Sequence, residues 1–377
     1  MDFFEKKVRQ LLNASGIQVG GSNLGDIEVK NPAFYRRFLT DGRLGLGESY
    51  MDGWWECDRI DVMLFKILSA QETIIKHVQT PETLARVLLS KIMPYGSVGR
   101  SSEIGKFHYD IGNELYGKIL DPYWNYTCGY WQGGAENLEQ AQLHKMERIC
   151  QKLKLSPGMT LLDIGCGWGG FSKYAAEKYG AHVTGISISQ KQIEQAKEFC
   201  AGLPIDIRYL DYRDLHEKYD RISTIGMIEH VGKKYYRGFM EKVSESLKDD
   251  GIFCLHTIGF NTSDYNNPWL DKYIFPGCYV PSIRQIGQAY EGLFVLEHVE
   301  NIGYSYAKTL RCWYDNFERH WAEVQRNDPV KYNDIFYRTW RYYLLSCIGG
   351  FEARKIQLWQ FVFSKNGIKG GYVFPQN

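Results

Sequence analysis

At 377 residues the chain exceeds one ordinary domain and suits a large domain joined to a smaller one. Apolar residues at 44% and charged residues at 24% supply a packed core and exclude disorder as the main state. With 45 Lys and Arg against 44 Asp and Glu, the formal charge of +1 removes the global electrostatic case for a nucleic-acid binder.

The N-terminal stretch MDFFEKKVRQLL carries acids and lacks an apolar stretch with a cleavage pattern, so it predicts no signal peptide. No apolar run approaches bilayer-spanning length, and a cytoplasmic location is expected. The nine cysteines are odd in number, scattered, and form no C-x-x-C pair, so they predict buried thiols rather than a disulfide framework or a zinc cluster.

Residues 1–90 read as a small, mainly helical domain. Phe4, Val8, Leu11 and Leu12 recur at helical spacing, and Val62, Phe65, Ile67 and Leu68 line a second helix. The glycines of LTDGRLGLGESYMDGWWECD between them predict turns rather than a regular element. A linker is expected over 91–106, around Pro94, and a larger domain over 107–377. From residue 137 helices and strands alternate. Asn137 and Gln140 suggest a capping box, with Leu143, Met146, Cys150 and Leu153 on one apolar face. TLLDIG, HVTGISI, IDIRYL, RISTIGMI and GIFCLHTI predict five strands separated by helices or turns, which specifies an α/β, doubly wound parallel sheet with helices on both faces. Beyond residue 281 the pattern predicts a helix, the strand LFVLEHV, a long helix through Trp313, further helices, and a last strand at LWQFVFS.

Asp163, Gly165, Gly167 and Gly169 form D-x-G-x-G-x-G directly after the first of these strands, where backbone must pass close to a ligand. A nicotinamide or flavin cofactor would require an acid near the end of the second strand; GISISQ offers Ser187 and, further on, Gln192 instead. The pattern favours S-adenosylmethionine (AdoMet). Ligands of open α/β sheets lie beyond the carboxyl ends of the strands. The third strand ends there at Asp211 and Tyr212, the fourth near Glu229, and the fifth at His256, so an acid and a histidine are expected at one crevice.

FHYDIGNELYGKILDPYWNYTCGYW, LDIGCGWGG, GMIEHVG, CLHTIG, KYIFPGCYVPSIRQI, WYDNF, IQLWQFVFS and the N-terminal GLGESYMDGWW together resemble the cyclopropane-fatty-acyl-phospholipid synthase family over nearly the whole chain. The resemblance implies a class I AdoMet methyltransferase fold with a smaller helical N-terminal domain. It also implies methylene transfer from AdoMet to the cis double bond of an acyl chain in a membrane phospholipid, with bound bicarbonate as the base. Carried over by position, Glu229 and His256 hold the ion, the Tyr314 hydroxyl donates to it, and the N–H groups of Cys128 and Ile258 complete the cradle. Cys347 is a weaker candidate for a catalytic role. For AdoMet the match implies Tyr126 and Thr127 at its carboxylate, Gly165 and Gly167 at its amino-acid portion, Ser187 and Gln192 at the ribose, and Asp211 and Tyr212 near adenine. Tyr126, Tyr130, Trp131, Tyr304, Tyr306 and Tyr314 are candidates for an aromatic lining around the cationic centre.

The acyl substrate implies a peripheral protein at the inner membrane face, and the family implies a homodimer. Phe3, Phe4, Trp54 and Trp55 beside Lys6, Lys7, Arg36 and Arg37 are the expected lipid-facing group. Amine N-methyltransferases and fatty-acid C-methyltransferases share the AdoMet core and stand as alternatives, as does a non-catalytic lipid binder on the same scaffold. An amine acceptor would not require the anion pocket.

Overall fold

A computed structural model describes residues 1–70, 72, 112–263 and 267–374, so the expected linker at 91–106 lies outside the described residues. The chain divides into two units: Met1–Ile119, Asn266–Pro276 and Leu310–Lys355 in one, and Leu120–Tyr265, Gly277–Thr309 and Ile356–Asn377 in the other. This differs from a break near residue 90, because two later segments belong with the N-terminal helices. Among the described residues no helix is long and apolar enough to cross a membrane.

In the first unit, α1 (Phe3–Ala14) starts at Asp2, whose carboxylate accepts from the Glu5 N–H at 2.8 Å, and buries Val8, Leu11 and Leu12. The glycine-rich segment is not a run of turns. It forms α2 (Ala33–Met51), kinked at Gly42. Its glycines serve close packing: a Cβ on Gly47 would stand 2.4 Å from the Trp269 ring of α9 (Pro268–Tyr273). Glu48 of α2 accepts from Arg37, Lys272 and the Tyr273 hydroxyl, fastening the same two helices.

A short antiparallel pair, β1 (Glu28–Val29) with β2 (Trp55–Glu56), precedes α3 (Ile60–Ser69). The apolar line expected on α3 is rotated: Ile60, Met63 and Leu64 are buried, whereas Phe65 is exposed. The reason is α12 (Asp334–Glu352), where Gly349 meets the Asp61 carbonyl and Leu64. The short helix α4 (Asn113–Ile119) and the aromatic rings of Phe317, Phe336 and Trp340 complete this unit.

Two members of the expected lipid-facing group are engaged within the unit, and one of them is core. Trp55 is fully buried, its indole N–H donating to the Leu46 carbonyl and the Ser49 hydroxyl, and its ring 4.9 Å from that of Tyr50. Arg37 is paired with Glu48 and Asp52 and lies over the Trp54 ring. Burial of its ring and saturation of its single donor fix Trp55 as core.

The second unit begins with α5 (Leu138–Lys152). Asn137 caps it by accepting from the Gln140 N–H, while the Gln140 side chain reaches back to the Glu136 N–H rather than to that of Asn137. The strands follow as β3 (Thr160–Ile164), β4 (His182–Ser187), β5 (Ile205–Tyr209), β6 (Tyr219–Ile225), β7 (Leu247–Phe260), β8 (Val295–Asn301) and β9 (Ile356–Ser364). They form one sheet in the order β5-β4-β3-β6-β7-β9-β8. The first five run parallel, and β9 and β8 are antiparallel additions. On one face α8 (Tyr236–Ser246) and α10 (Ile283–Tyr290) bury Phe239, Val243 and Ile286 against Phe253 and Phe361. On the other, α5 and α6 (Gly170–Tyr179) bury Met146, Ile149 and Phe171 against Leu161 and Val183. Helix α7 (Gln190–Phe199) covers β4 and β5 with Ile193 and Ala196. The order reverses between β3 and β6, which places a crevice at their carboxyl ends. Helix α11 (Tyr304–Asn327) starts in this unit and continues in the first.

Candidate active site

The loop leaving β3 is built on glycine. Gly165 and Gly169 adopt φ of 80° and 84°, a region that favours glycine, and a Cβ on either would meet Met227 or the Cys200 sulfur below 3 Å. Gly167 also has a positive φ, but no atom of the described residues would lie within 4 Å of its Cβ, so among them its bare side faces open space. Asp163 braces this loop from beneath. It is buried, accepts from the Ser172 and Ser223 hydroxyls at 2.8 and 3.1 Å, and burial pushes its carboxyl up to about 6.

Ser187 lies at the end of β4, 3.5 Å from the Gln192 side-chain oxygen, with its hydroxyl accepting from the Ser189 N–H. Asp211 follows β5. Its carboxylate is gripped by Arg213 at 2.6 and 2.8 Å, which holds it below the usual range. Tyr212 packs edge-on against Phe239.

The segment carrying Tyr126, Thr127 and Cys128 is held by groups that sequence reading did not single out. Buried Asp121 accepts from the N–H groups of Tyr123 and Asn125 and from the Asn125 amide. The fully buried Lys145 donates to Asn125 at 2.7 Å and to the Thr127 hydroxyl at 3.0 Å. Gln142 donates to the Thr127 carbonyl at 2.7 Å. Burial lowers Lys145 to about 8. The readable signal was a pair of polar residues, 142 and 145, on the apolar face of α5. Gly226, at the end of β6, lies against the Thr127 methyl group.

Glu229 sits in a 3-10 turn after β6, and His256 on β7 pairs in register with Ile225. Both side chains are almost fully buried. Glu229 Oε1 accepts from the Ile258 N–H at 2.7 Å, so in this arrangement that N–H is engaged by the carboxylate. Glu229 Oε2 and His256 Nε2 are buried and have no hydrogen-bond partner among the described residues. His256 Nδ1 faces the Gln360 amide nitrogen at 3.0 Å. Burial pushes Glu229 up to about 7, and burial, reinforced by Lys145 and Lys152, drives His256 well below the ordinary histidine value. A carboxyl that stays partly protonated at neutral pH, beside a neutral imidazole, suits proton exchange with a small anion.

The Cys128 thiol is buried, donates to the Gly129 carbonyl, and is pushed upward by burial, so a role for this residue falls to its main chain. Tyr130, Trp131, Tyr304 and Tyr306 belong with Tyr126 to the second unit. Tyr314 belongs to the first, on α11, where its hydroxyl accepts from Arg341 at 3.3 Å. Cys347 is also in the first unit, on α12, and burial pushes its thiol up to about 12.

The mycolic acid cyclopropane synthetase family model matches residues 97–361. The cyclopropane-fatty-acyl-phospholipid synthase of Escherichia coli K12 is 47% identical over 372 residues, covering 98% of this chain and 95% of that protein. A probable fatty acid methyltransferase of Pseudomonas putida is 33% identical, over 73% of this chain and 72% of its own length. Among solved structures, the mycolic acid cyclopropane synthase CmaA1 complexed with SAH and CTAB superposes with a TM-score of 0.63 at 29% identity, covering 68% of this chain and 96% of that one.

Proposed function

The chain belongs to the cyclopropane-fatty-acyl-phospholipid synthase family, and we propose that it adds a methylene group from AdoMet across the cis double bond of unsaturated acyl chains in membrane phospholipids. The observation that carries the reading is the pair of buried, unmatched polar atoms, Glu229 Oε2 in the turn just beyond β6 and His256 Nε2 in β7, level with the last residue of β6, the strand neighbouring the one that feeds the glycine loop.

AdoMet supplies a methyl group on an electron-poor sulfonium, and a bound bicarbonate supplies a base for the one proton that must leave that methyl group if a ring is to close. The residues present fit a small oxyanion when Glu229 is protonated or shares a proton with it, since two full negative charges in a buried site would repel. A Glu229 carboxyl pushed up to about 7 meets that condition at neutral pH. His256, held neutral, orients without adding charge. The Cys128 main chain and the Tyr314 hydroxyl are proposed to contribute donors. At Gly167 the backbone is bare enough among the described residues for the amino-acid portion of AdoMet, with Gly165 packed on Met227 beside it, while Ser187, Gln192, Asp211 and Tyr212 supply polar groups for ribose and adenine. Thr127, its hydroxyl already polarised by the Lys145 cation, is suited to a carboxylate.

Since no described helix spans a bilayer, the acyl chain has to be met at the membrane surface. Phe3, Phe4 and Lys6 on α1 remain the lipid-facing candidates, and the chain is proposed to act as a homodimer.

Incubation with AdoMet and vesicles of unsaturated phospholipid, followed by mass and olefin measurement, tests the reaction. A gain of CH2 with loss of the olefin is expected. A gain with the olefin kept, or with a saturated branch, would assign the chain to the methylating relatives instead. Cys347→Ser is expected to keep turnover within about twofold of the parent, because a thiol held protonated by burial is a poor nucleophile; a large loss would return Cys347 to the reaction.

A further inference from the structure

Row by row, the sheet lines up three polar side chains across its antiparallel edge. Glu300 of β8 is paired in register with Gln360 of β9, and Gln360 with His256 of β7. Lys152, from the last turn of α5, joins this row from one face. Its ammonium group donates to Glu300 and to the Gln360 side-chain oxygen, both at 2.5 Å. Arg148 adds two further bonds to Glu300, at 2.8 and 2.9 Å. Lys152 and Gln360 are almost wholly buried, where every mismatched donor or acceptor is expensive.

Donor and acceptor rules then leave one arrangement. Lys152 has donors only, so the Gln360 oxygen must face it. That turns the Gln360 NH2 group, which also only donates, toward His256 Nδ1 at 3.0 Å. Nδ1 must present its lone pair, and the single proton of the neutral ring is left on Nε2. We propose that Glu300, Lys152 and Gln360 form a buried relay that fixes His256 as the Nε2–H tautomer, making its imidazole a hydrogen-bond donor to the site rather than a base. Glu300, Lys152 and Gln360 are positioning residues in this scheme; none of them touches the reacting atoms. The lowered basicity of His256 agrees, because burial and the two nearby lysines disfavour the imidazolium.

The inference rests on the reading of Glu229 and His256 as the catalytic pair, and it assigns them different tasks. A histidine that donates through Nε2 cannot collect the departing proton, which leaves the anion as its acceptor, with Glu229 sharing the anion's proton. The relay also explains why a lysine is buried at a position where stability alone would favour an apolar residue.

Ring-15N-labelled histidine in the full chain reads the tautomer directly, with the His256 signals assigned by their loss in His256→Asn. In the parent protein a protonated Nε2 and a bare Nδ1 are expected, unchanged between about pH 6 and 8. Gln360→Glu keeps the Lys152 contact but offers Nδ1 only acceptors, so the proton should move to Nδ1. Turnover should fall by at least about tenfold with KM for AdoMet nearly constant. A parent spectrum showing Nδ1–H or an imidazolium would overturn the relay, and this measurement needs no variant of Gln360 to fold. Retention of Nε2–H in Gln360→Glu would overturn it as well. A tautomer that switches with turnover unaffected would uphold the relay and instead remove His256 from the catalytic pair.

Discussion

Glu229→Gln is expected to lower turnover by about two orders of magnitude or more while leaving AdoMet affinity nearly unchanged. Glutamine keeps the shape and still accepts from the Ile258 N–H, but it cannot exchange a proton. The same change is expected to make the protein more stable at neutral pH. Burial pushes Glu229 from an ordinary 4.5 to about 7. An acid whose folded pKa is raised stays protonated in the folded state while the unfolded chain ionises. Its contribution is therefore fully present below about pH 4.5 and is lost as pH rises to about 7, a loss of roughly 3 kcal/mol that glutamine escapes. Asp163, raised to about 6 by burial, acts in the same direction over a narrower range and remains in both proteins. Thermal denaturation of parent and variant from pH 5 to 8, alongside turnover, checks both claims. A variant that loses activity and stability together at pH 8 would mark Glu229 as a structural partner and not as the proton-exchanging group.

The parts of this molecule that were legible in sequence are those governed by local rules. Five parallel strands announced themselves as short apolar runs, and the β3–α6 loop as glycines directly after one of them, because a tight strand-to-helix turn at a ligand constrains residue type at adjacent positions. Glu229 and His256 were reachable from the expected ends of the fourth and fifth strands, although β7 runs on past His256 to Phe260, because β9 pairs with it there. What stayed hidden depended on partners distant in sequence. Glycine in α2 looked like a helix breaker, yet Gly47 answers to Trp269, more than two hundred residues away. Trp55 looked like a membrane anchor, yet its ring and its donor are consumed internally. Lys145 and Lys152 were not singled out from the sequence. Their burial is intelligible only once Asn125, Thr127, Glu300 and Gln360 are brought around them. The division into units was misplaced for a similar reason: the aromatic helices at 310–355 complete the N-terminal core.

The glycine loop carries the second large effect. Gly165→Ala combines a left-handed backbone with a methyl group placed 2.7 Å from Met227 Cγ, for an expected destabilisation of about 2–5 kcal/mol and at least about a tenfold weaker hold on AdoMet. Met227 precedes the 3-10 turn that bears Glu229, so displacement there also disturbs the carboxyl, and turnover at saturating AdoMet should fall too. Gly167→Ala separates the causes. With no atom of the described residues within 4 Å of its Cβ, the added cost in the free protein is backbone strain of about 1–2 kcal/mol. If the bare backbone at 167 is there for the ligand, calorimetry should show AdoMet affinity falling well beyond what that strain explains, while Glu229 stays in place and turnover at saturation is largely kept. Equal AdoMet affinity in Gly167→Ala and the parent would mean that the ligand does not approach this loop, and the assignment of the crevice at the β3–β6 reversal would fail with it.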